Sequence, residues 1–397
     1  MRKRTGISAV LRALWRPATK RDPNQDECER GRGDDEEPVP RPPGYSPTGI
    51  VRRIELTDDG EFADRCQLTD VLYEIRNPEK SVLVVWYIHG WKHSADKDDS
   101  DFRHFGSLIR ELVGQQGQLG DAGRHVVGVY VGWDGAVGPA ALRNLTFWNR
   151  KRAADRISQS GVLTKIIAST KYARKRELEK RGGDASRDLT IMIAHSFGAR
   201  ILYTATAQVL LDEVQRRHPG NHSNCYEVIE GPADLILLLN PAFEASIFTA
   251  MHTIRRPDAK PWERVNSLQQ PVLLTISTEN DWATGWAFPF ARCLEFATRD
   301  RQRLTIGNYP KYVTHDLEAA SSDSGKSLKG ALWFDSFEAG GLRLKLREST
   351  RQRGNPFVIA RTTSDIIDGH NGIWEGALRN WTMSFLGEVQ KHSPVAS

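Results

Sequence analysis

The chain has 397 residues and a mass of 44.7 kDa, and 39% of its residues are hydrophobic while 26% are charged. These values are typical of a globular protein and exclude a wholly disordered or fibrous chain. No stretch approaches eighteen uncharged apolar residues, so we expect no membrane-spanning helix.

The four cysteines lie far apart and form neither a zinc motif nor a disulfide framework. We therefore expect reduced thiols and a cytoplasmic location.

The net charge of +5 comes from the beginning of the chain. Residues 1–21 contain seven Lys and Arg residues and no acid, so the remainder has a net charge of −2. Because a nucleic-acid-binding domain usually carries positive charge on its folded surface, we expect no nucleic-acid partner.

Residues 1–49 are predicted to form a disordered tail. An acidic run at 34–37 follows the basic start, and several prolines come after it. Such a segment buries too little apolar surface to offset the entropy lost on ordering. Composition favours a solvated arm for residues 1–21. The alternative is a short basic helix that makes peripheral contact with an anionic membrane.

From residue 50 onward, short apolar runs alternate with longer polar or helical stretches. The runs span 50–56, 67–75, 82–88, 125–133, 189–194, 234–239, 271–277 and 356–362. Continuous hydrophobicity in the middle runs indicates strands that are covered on both faces. Connections long enough for crossover helices predict an α/β fold with a mainly parallel sheet. The first two runs alternate more, so we expect them to form an antiparallel edge.

Two segments within the predicted domain of residues 50–397 depart from this alternation of short runs and single connections. Residues 134–188 and 283–355 are too long for single crossover helices. Each is interpreted as an insertion that either caps a site or decorates the surface. Within the second insertion, alternating residues at 342–347 predict a hairpin strand.

The sharpest local motif surrounds Ser196, which directly follows the fifth apolar run and precedes a segment of helical composition. Ala194 and Gly198 are small residues that let strand and helix approach each other at a tight turn. The beginning of a helix also provides N–H groups where negative charge must develop. These features predict a nucleophilic serine. His195 is adjacent in the chain and is not expected to be its base.

Four segments together resemble the α/β-hydrolase superfamily, and the resemblance covers residues 50–397. They are Tyr87-Ile88-His89-Gly90-Trp91, Ala194-His195-Ser196-Phe197-Gly198, Glu279-Asn280-Asp281 and Asp368-Gly369-His370-Asn371. The chain is similar to uncharacterised bacterial esterase/lipase-like serine hydrolases. The resemblance implies an eight-stranded, mostly parallel sheet with helices on both faces and inserted cap segments. It also implies the chain order serine, acid, histidine.

Ser196 needs a general base, because an alcohol is a poor nucleophile at neutral pH. His370 is the preferred candidate, since it follows the last run by a short loop. His315 is the rival, although it lies inside the second insertion.

An acid must orient the base and stabilise its charged form. Asp281 is preferred because it follows the seventh run by a few residues. Glu279 is an alternative two residues earlier, and Glu244 is a weaker one.

An oxyanion hole requires two N–H donors. We expect one from Phe197, the residue after the nucleophile. The other is expected from Trp91, in the turn where Gly90 lets the backbone come close.

Five tryptophans are predicted to line the substrate pocket, because four of them lie at or past predicted strand ends and one lies in the first insertion. They are Trp133, Trp148, Trp282, Trp286 and Trp374. An aromatic pocket suits a small-molecule or lipid ester. Loop packing is the alternative explanation for these residues.

No nucleotide, flavin or metal motif is present, so we expect no cofactor and no metal. Asp98, Asp99 and Asp101 fit no calcium-loop spacing and are interpreted as part of a solvated loop.

The leading hypothesis is a serine hydrolase that cleaves carboxylic esters through an acyl-enzyme. A thioesterase or an acyltransferase would use the same three residues. A binding module without catalysis is the third alternative, since this fold serves many functions.

Overall fold

A computed structural model describes most of the chain beyond residue 50. The described residues are 51–76, 80–135, 147–182, 187–217, 228–254, 268–281, 299–320, 332–348, 354–374 and 376–392. The tail predicted for residues 1–49 lies outside them, and so do Trp282 and Trp286.

Ten strands in these residues form one sheet. They are β1 (Val51–Leu56), β2 (Val82–Ile88), β3 (His125–Trp133), β4 (Leu189–His195), β5 (Leu235–Leu239), β6 (Leu273–Thr278), β7 (His315–Ala319), β8 (Ser336–Ala339), β9 (Leu342–Leu346) and β10 (Phe357–Thr362). Their order is β1-β3-β2-β4-β5-β6-β10-β7-β9-β8. In this spatial order, all neighbouring strands from β1 through β10 to β7 pair in parallel. The last two pairs, β7–β9 and β9–β8, are antiparallel. The prediction of a mainly parallel α/β sheet is confirmed.

Eight α-helices lie within the described ranges. They are α1 (Cys66–Arg76), α2 (Ser100–Gln118), α3 (Phe147–Ser160), α4 (Val162–Arg181), α5 (Ser196–Arg217), α6 (Thr249–Ile254), α7 (Asp300–Arg303) and α8 (Gly376–His392).

The central strands are buried on both faces, which explains their continuous hydrophobicity. In β2, for example, Trp86 and Ile88 belong to one apolar cluster and Val85 and Tyr87 to the other. The first cluster includes residues of α1, α3, α4 and α5, and the second includes residues of α2 and α8. Helices on both faces therefore exclude water from the strands, as crossover connections require.

The prediction of a strand at 67–75 is wrong, because this segment forms α1. Its apolar residues Leu68, Val71 and Ile75 recur at intervals of three and four, which is a helical spacing. The Oδ1 of Asp64 accepts a hydrogen bond from the N–H of Cys66 at 2.8 Å at the beginning of the helix. The expected antiparallel edge is also wrong, because β1 pairs in parallel with β3.

The sheet has ten strands rather than the eight expected. Seven of the eight runs form strands, and the segment 283–355 adds β7, β8 and β9. The predicted hairpin strand at 342–347 is confirmed as β9, which pairs with β8. Short strands with polar residues, such as β7, give too little hydrophobic signal to be recognised from sequence.

The described part of the segment 134–188 consists mainly of α3 and α4. These helices pack on α5 and α1, respectively, and thereby help to cover one face of the sheet.

Cys66 contradicts the expectation of reduced thiols. It is disulfide-bonded. Disulfides are typical of oxidising compartments, so this bond removes the premise on which a cytoplasmic location was expected. None of the helices in the described ranges combines the length and the apolar character needed to cross a bilayer.

A largely buried ion pair joins α4 to the segments where β2 and β4 begin. The Arg174 guanidinium contacts both carboxylate oxygens of Asp188, at 2.8 and 3.2 Å, and donates to the carbonyl of Lys80 at 2.9 Å. Asp188 also accepts from the N–H of Val82 at 2.8 Å. The pair therefore joins one helix to the segments that begin two central strands.

We expect Arg174→Ala to lower the free energy of unfolding by about 3 kcal/mol, because it leaves a largely buried carboxylate without its cation. The neighbouring control, Lys175→Ala, removes a side chain that is 75% exposed. It should change stability by no more than about 0.5 kcal/mol. Urea unfolding of both variants measures the difference, and equal losses would contradict this role of Arg174.

Candidate active site

Ser196 lies at the sharp turn between β4 and α5. β4 ends at His195 and α5 begins at Ser196, whose φ of 54° is in the left-handed region. A non-glycine residue there costs about 1–2 kcal/mol. Gly198 makes the turn feasible, because a Cβ on it would lie 2.3 Å from the carbonyl oxygen of Ile88. The small residue at this position thus allows α5 to pack against the end of β2.

His370 connects Ser196 and Asp281, two residues that lie far from it in sequence. Its Nε2 lies 2.7 Å from the Oγ of Ser196, and its Nδ1 lies 2.7 Å from the Oδ2 of Asp281. All three residues are buried, and Asp281 is only 1% exposed. In this arrangement the serine O–H donates to Nε2 while Nδ1–H donates to the carboxylate. The structure therefore brings together the three side chains that the sequence selected.

The alternative residues lie in other surroundings. His315 is a buried residue of β7, where its Nε2 is 3.7 Å from a carboxylate oxygen of Asp335. Glu244 is buried against the guanidinium of Arg200, and Glu279 is exposed. The Asp281 carboxylate is the one bonded to His370.

The turn after β2 contacts the serine directly. A Cβ on Gly90 would lie 2.7 Å from the Cβ of Ser196, so the turn requires a glycine. His89 fixes this turn: the N–H of Trp133 donates to its Nε2 at 3.0 Å, and its Nδ1–H donates to the carbonyl of Gly90 at 2.9 Å. Burial lowers the pKa of His89 to about 4 and thus favours the neutral imidazole that these two bonds require.

The two expected oxyanion donors directly follow Ser196 and Gly90 in the chain. Phe197 is fully buried in the first turn of α5, and Trp91 is buried directly after Gly90. Their use as donors stays a prediction.

The predicted pocket tryptophans differ in their surroundings. The ring N–H of Trp133 donates to the carbonyl of His89 at 3.0 Å, and that of Trp374 donates to Asp101 at 2.9 Å. Trp148 is half-buried on α3. The first ring therefore supports the turn at His89, and the second is bonded to the first turn of α2. Contact of any of the three with substrate stays a prediction.

Asp99 and Asp101 are not part of a solvated loop, contrary to expectation. Asp101 is 3% exposed and accepts from the hydroxyl of Tyr87 at 2.6 Å, while Asp99 caps α2. Together with His93 they place potential metal ligands within 4.8 Å of one another. Hydrogen bonds from the protein already engage both carboxylates: Asp99 also accepts from the N–H of Ser94 at 3.0 Å. The cluster is therefore interpreted as structural.

Sequence reasoning missed two residues that hold the loop carrying His370. The carbonyl oxygen of His370 accepts from Asn240 Nδ2 at 2.9 Å and from His195 Nε2 at 2.9 Å. Burial lowers the pKa of His195 well below its usual range, which keeps its ring neutral. The only sequence signal for either residue is its position immediately at the end of a buried strand.

No protein-family model matches the chain, and no curated protein matches it. Among solved structures, phospholipase PlaB from Legionella pneumophila in complex with thio-NAD is similar with a TM-score of 0.29 and 13% identity, over 78% of this chain and 61% of that one. A second PlaB structure gives a TM-score of 0.27 and 12% identity, over 79% and 62%. The chain thus spans less than two thirds of the length of PlaB. Similarity this weak establishes neither a shared fold nor a shared function.

The buried neutral His89 predicts a specific loss of stability in acid. Between about pH 6.5 and pH 4 the unfolded chain binds a proton that the folded chain does not bind at this residue. Stability therefore falls as the pH decreases through this window, by about 3 kcal/mol from His89 alone.

The variant His89→Gln retains an acceptor and a donor but does not titrate. We expect its loss of stability between pH 7.5 and pH 4 to be smaller than that of the wild type, as measured by urea unfolding at a series of pH values. An identical pH dependence would show that folding does not lower the pKa of His89.

Proposed function

We propose that this chain is a serine hydrolase with an α/β-hydrolase fold and that it cleaves carboxylic esters through an acyl-enzyme. One observation carries the proposal: a buried imidazole lies 2.7 Å from a serine hydroxyl on one side and 2.7 Å from a carboxylate on the other. Such an arrangement activates an alcohol as a nucleophile at neutral pH.

The reaction begins when the Oγ of Ser196 attacks the ester carbonyl carbon and its proton passes to the Nε2 of His370. The Asp281 carboxylate accepts the Nδ1–H bond and stabilises the imidazolium that results. The carbonyl π electrons move to the oxygen, and the N–H groups of Phe197 and Trp91 are the proposed donors to this oxyanion.

Collapse of the tetrahedral intermediate breaks the bond to the alkoxy oxygen. The Nε2–H of His370 protonates that oxygen, and an alcohol leaves while the acyl group remains on Ser196. A water molecule then gives a proton to His370 and attacks the acyl carbon. Collapse of the second tetrahedral intermediate that results breaks the bond between the acyl carbon and Oγ, and Oγ takes the proton back from His370 as the carboxylic acid leaves.

The strained turn at Ser196 supports this function independently. A left-handed φ at a serine is costly, and such conformations persist mainly where they serve a site. Here the turn directs the hydroxyl toward His370 and places the first N–H groups of α5 nearby.

We expect Ser196→Ala to lower kcat/KM for p-nitrophenyl esters by at least about 10³-fold, because nucleophilic attack is lost. The matched control is Ser384→Ala, which removes an exposed hydroxyl on α8 and should leave the rate unchanged. A graded series of acyl chain lengths identifies the preferred ester.

A fluorophosphonate probe supplies the second readout. It should label the wild type and Ser384→Ala covalently but leave Ser196→Ala unlabelled. Unchanged ester turnover in Ser196→Ala would refute the assignment of the nucleophile.

A further inference from the structure

We infer that Asn240 is a positioning residue that aligns His370 with Ser196, an inference that rests on the proposed function. Asn240 is the first residue after β5 and is completely buried. The hydrogen bonds of its side chain go to backbone groups and not to the Ser196 hydroxyl or the Asp281 carboxylate. Its side chain instead holds the backbone from which the imidazole projects.

The amide of Asn240 joins two segments of the site. Its Nδ2 donates to the carbonyl oxygens of His370 at 2.9 Å and Gly369 at 3.3 Å, and its Oδ1 accepts from the N–H of Thr278 at 3.0 Å. Carbonyls only accept and an N–H only donates, so this orientation of the amide is the one that satisfies every partner. One side chain thereby links the end of β6, which leads to Asp281, with the loop that carries the base.

The backbone next to Asn240 is bonded to the segment that carries Ser196. The N–H of Ala242, two residues later, donates to the carbonyl of Ser196 at 3.1 Å. The N–H of Asn240 itself donates to the carbonyl of Ile276 at 2.8 Å. The exit from β5 is therefore bonded to the segments that carry the serine, the acid and the histidine.

The strained backbone of Asn240 indicates that its asparagine side chain is needed at this position. Asn240 has a φ of 42°, in the left-handed region, where glycine would be the least costly residue. Asparagine tolerates this conformation better than most residues, but a glycine would not provide the amide. Strain that persists at a buried site indicates that the side chain has a role there.

His195, at the end of the neighbouring strand β4, donates to the same carbonyl oxygen of His370 at 2.9 Å. Two donors at the ends of neighbouring strands fix the plane of the peptide that follows the His370 Cα. A fixed peptide limits how far the imidazole swings away from the Oγ of Ser196. A displacement of about 1 Å in a reacting group costs on the order of 10²-fold in rate.

The variant Asn240→Gly separates alignment from stability. Glycine accepts the left-handed φ and so offsets part of the stability lost with the hydrogen bonds, while it removes the amide completely. We expect this variant to fold, with kcat for a p-nitrophenyl ester lowered about 10- to 100-fold and KM changed by less than about threefold. The control is Asn380→Ala on the exposed side of α8, which should retain the wild-type kcat and KM.

A second measurement reports alignment without turnover. The Nδ1–H proton of His370, bonded to Asp281, should give a far-downfield proton NMR signal in the wild type and in Asn380→Ala. In Asn240→Gly we expect this signal to be weakened or lost through exchange with water. The isosteric Asn240→Asp places a carboxylate against two carbonyl oxygens, so it should weaken the signal and lower kcat at least as much.

The outcomes distinguish this inference from the proposed function. Wild-type kcat and an intact downfield signal in Asn240→Gly would overturn the positioning role, even if Ser196 proves to be the nucleophile. Turnover that survives Ser196→Ala would instead refute the proposed function, and the NMR arm would still test whether Asn240 holds His370. Failure of Asn240→Gly to fold would also count against the inference, because the residue would then serve stability rather than alignment.

Discussion

The geometry of the site depends on one imidazole that is hydrogen-bonded on both sides. His370 is useful only if its two nitrogens reach a hydroxyl and a carboxylate at the same time, each at 2.7 Å. These partners lie 174 and 89 residues away in sequence, so local preference cannot bring them together. The sheet does so, because parallel strands present their carboxyl ends along one edge. The rest of the architecture keeps the ends of β4, β6 and β10 in register.

Hydrogen bonds from the protein constrain each component of the site. His89 fixes the turn at Gly90, and Asn240 and His195 fix the peptide of His370. The supporting histidines are buried and neutral, because desolvation lowers their pKa. A neutral ring provides one donor and one acceptor in fixed positions, which makes it suitable for holding a backbone without adding charge.

The sequence predicted those site residues that come shortly after a strand. Ser196, Asp281 and His370 each come shortly after a hydrophobic run, and parallel strands place such residues together. The sequence did not predict the role of Asn240, because its partners come from distant segments and its own motif is an ordinary strand exit. The prediction for the segment 67–75 is wrong because a short apolar run suits a buried strand as well as a helix, and only its spacing of three and four distinguishes the helix. The strands β7 and β8 are short and partly polar, so they gave no hydrophobic signal.

Trapping of the covalent intermediate tests the central claim most directly. The wild-type protein would be mixed rapidly with a p-nitrophenyl ester, quenched in acid, digested with trypsin and analysed by mass spectrometry. The account predicts one acyl group per chain on the peptide 188–200, attached to the hydroxyl of Ser196. Ester turnover with the acyl group on another residue, or with no acylated peptide under conditions that trap such intermediates, would contradict it.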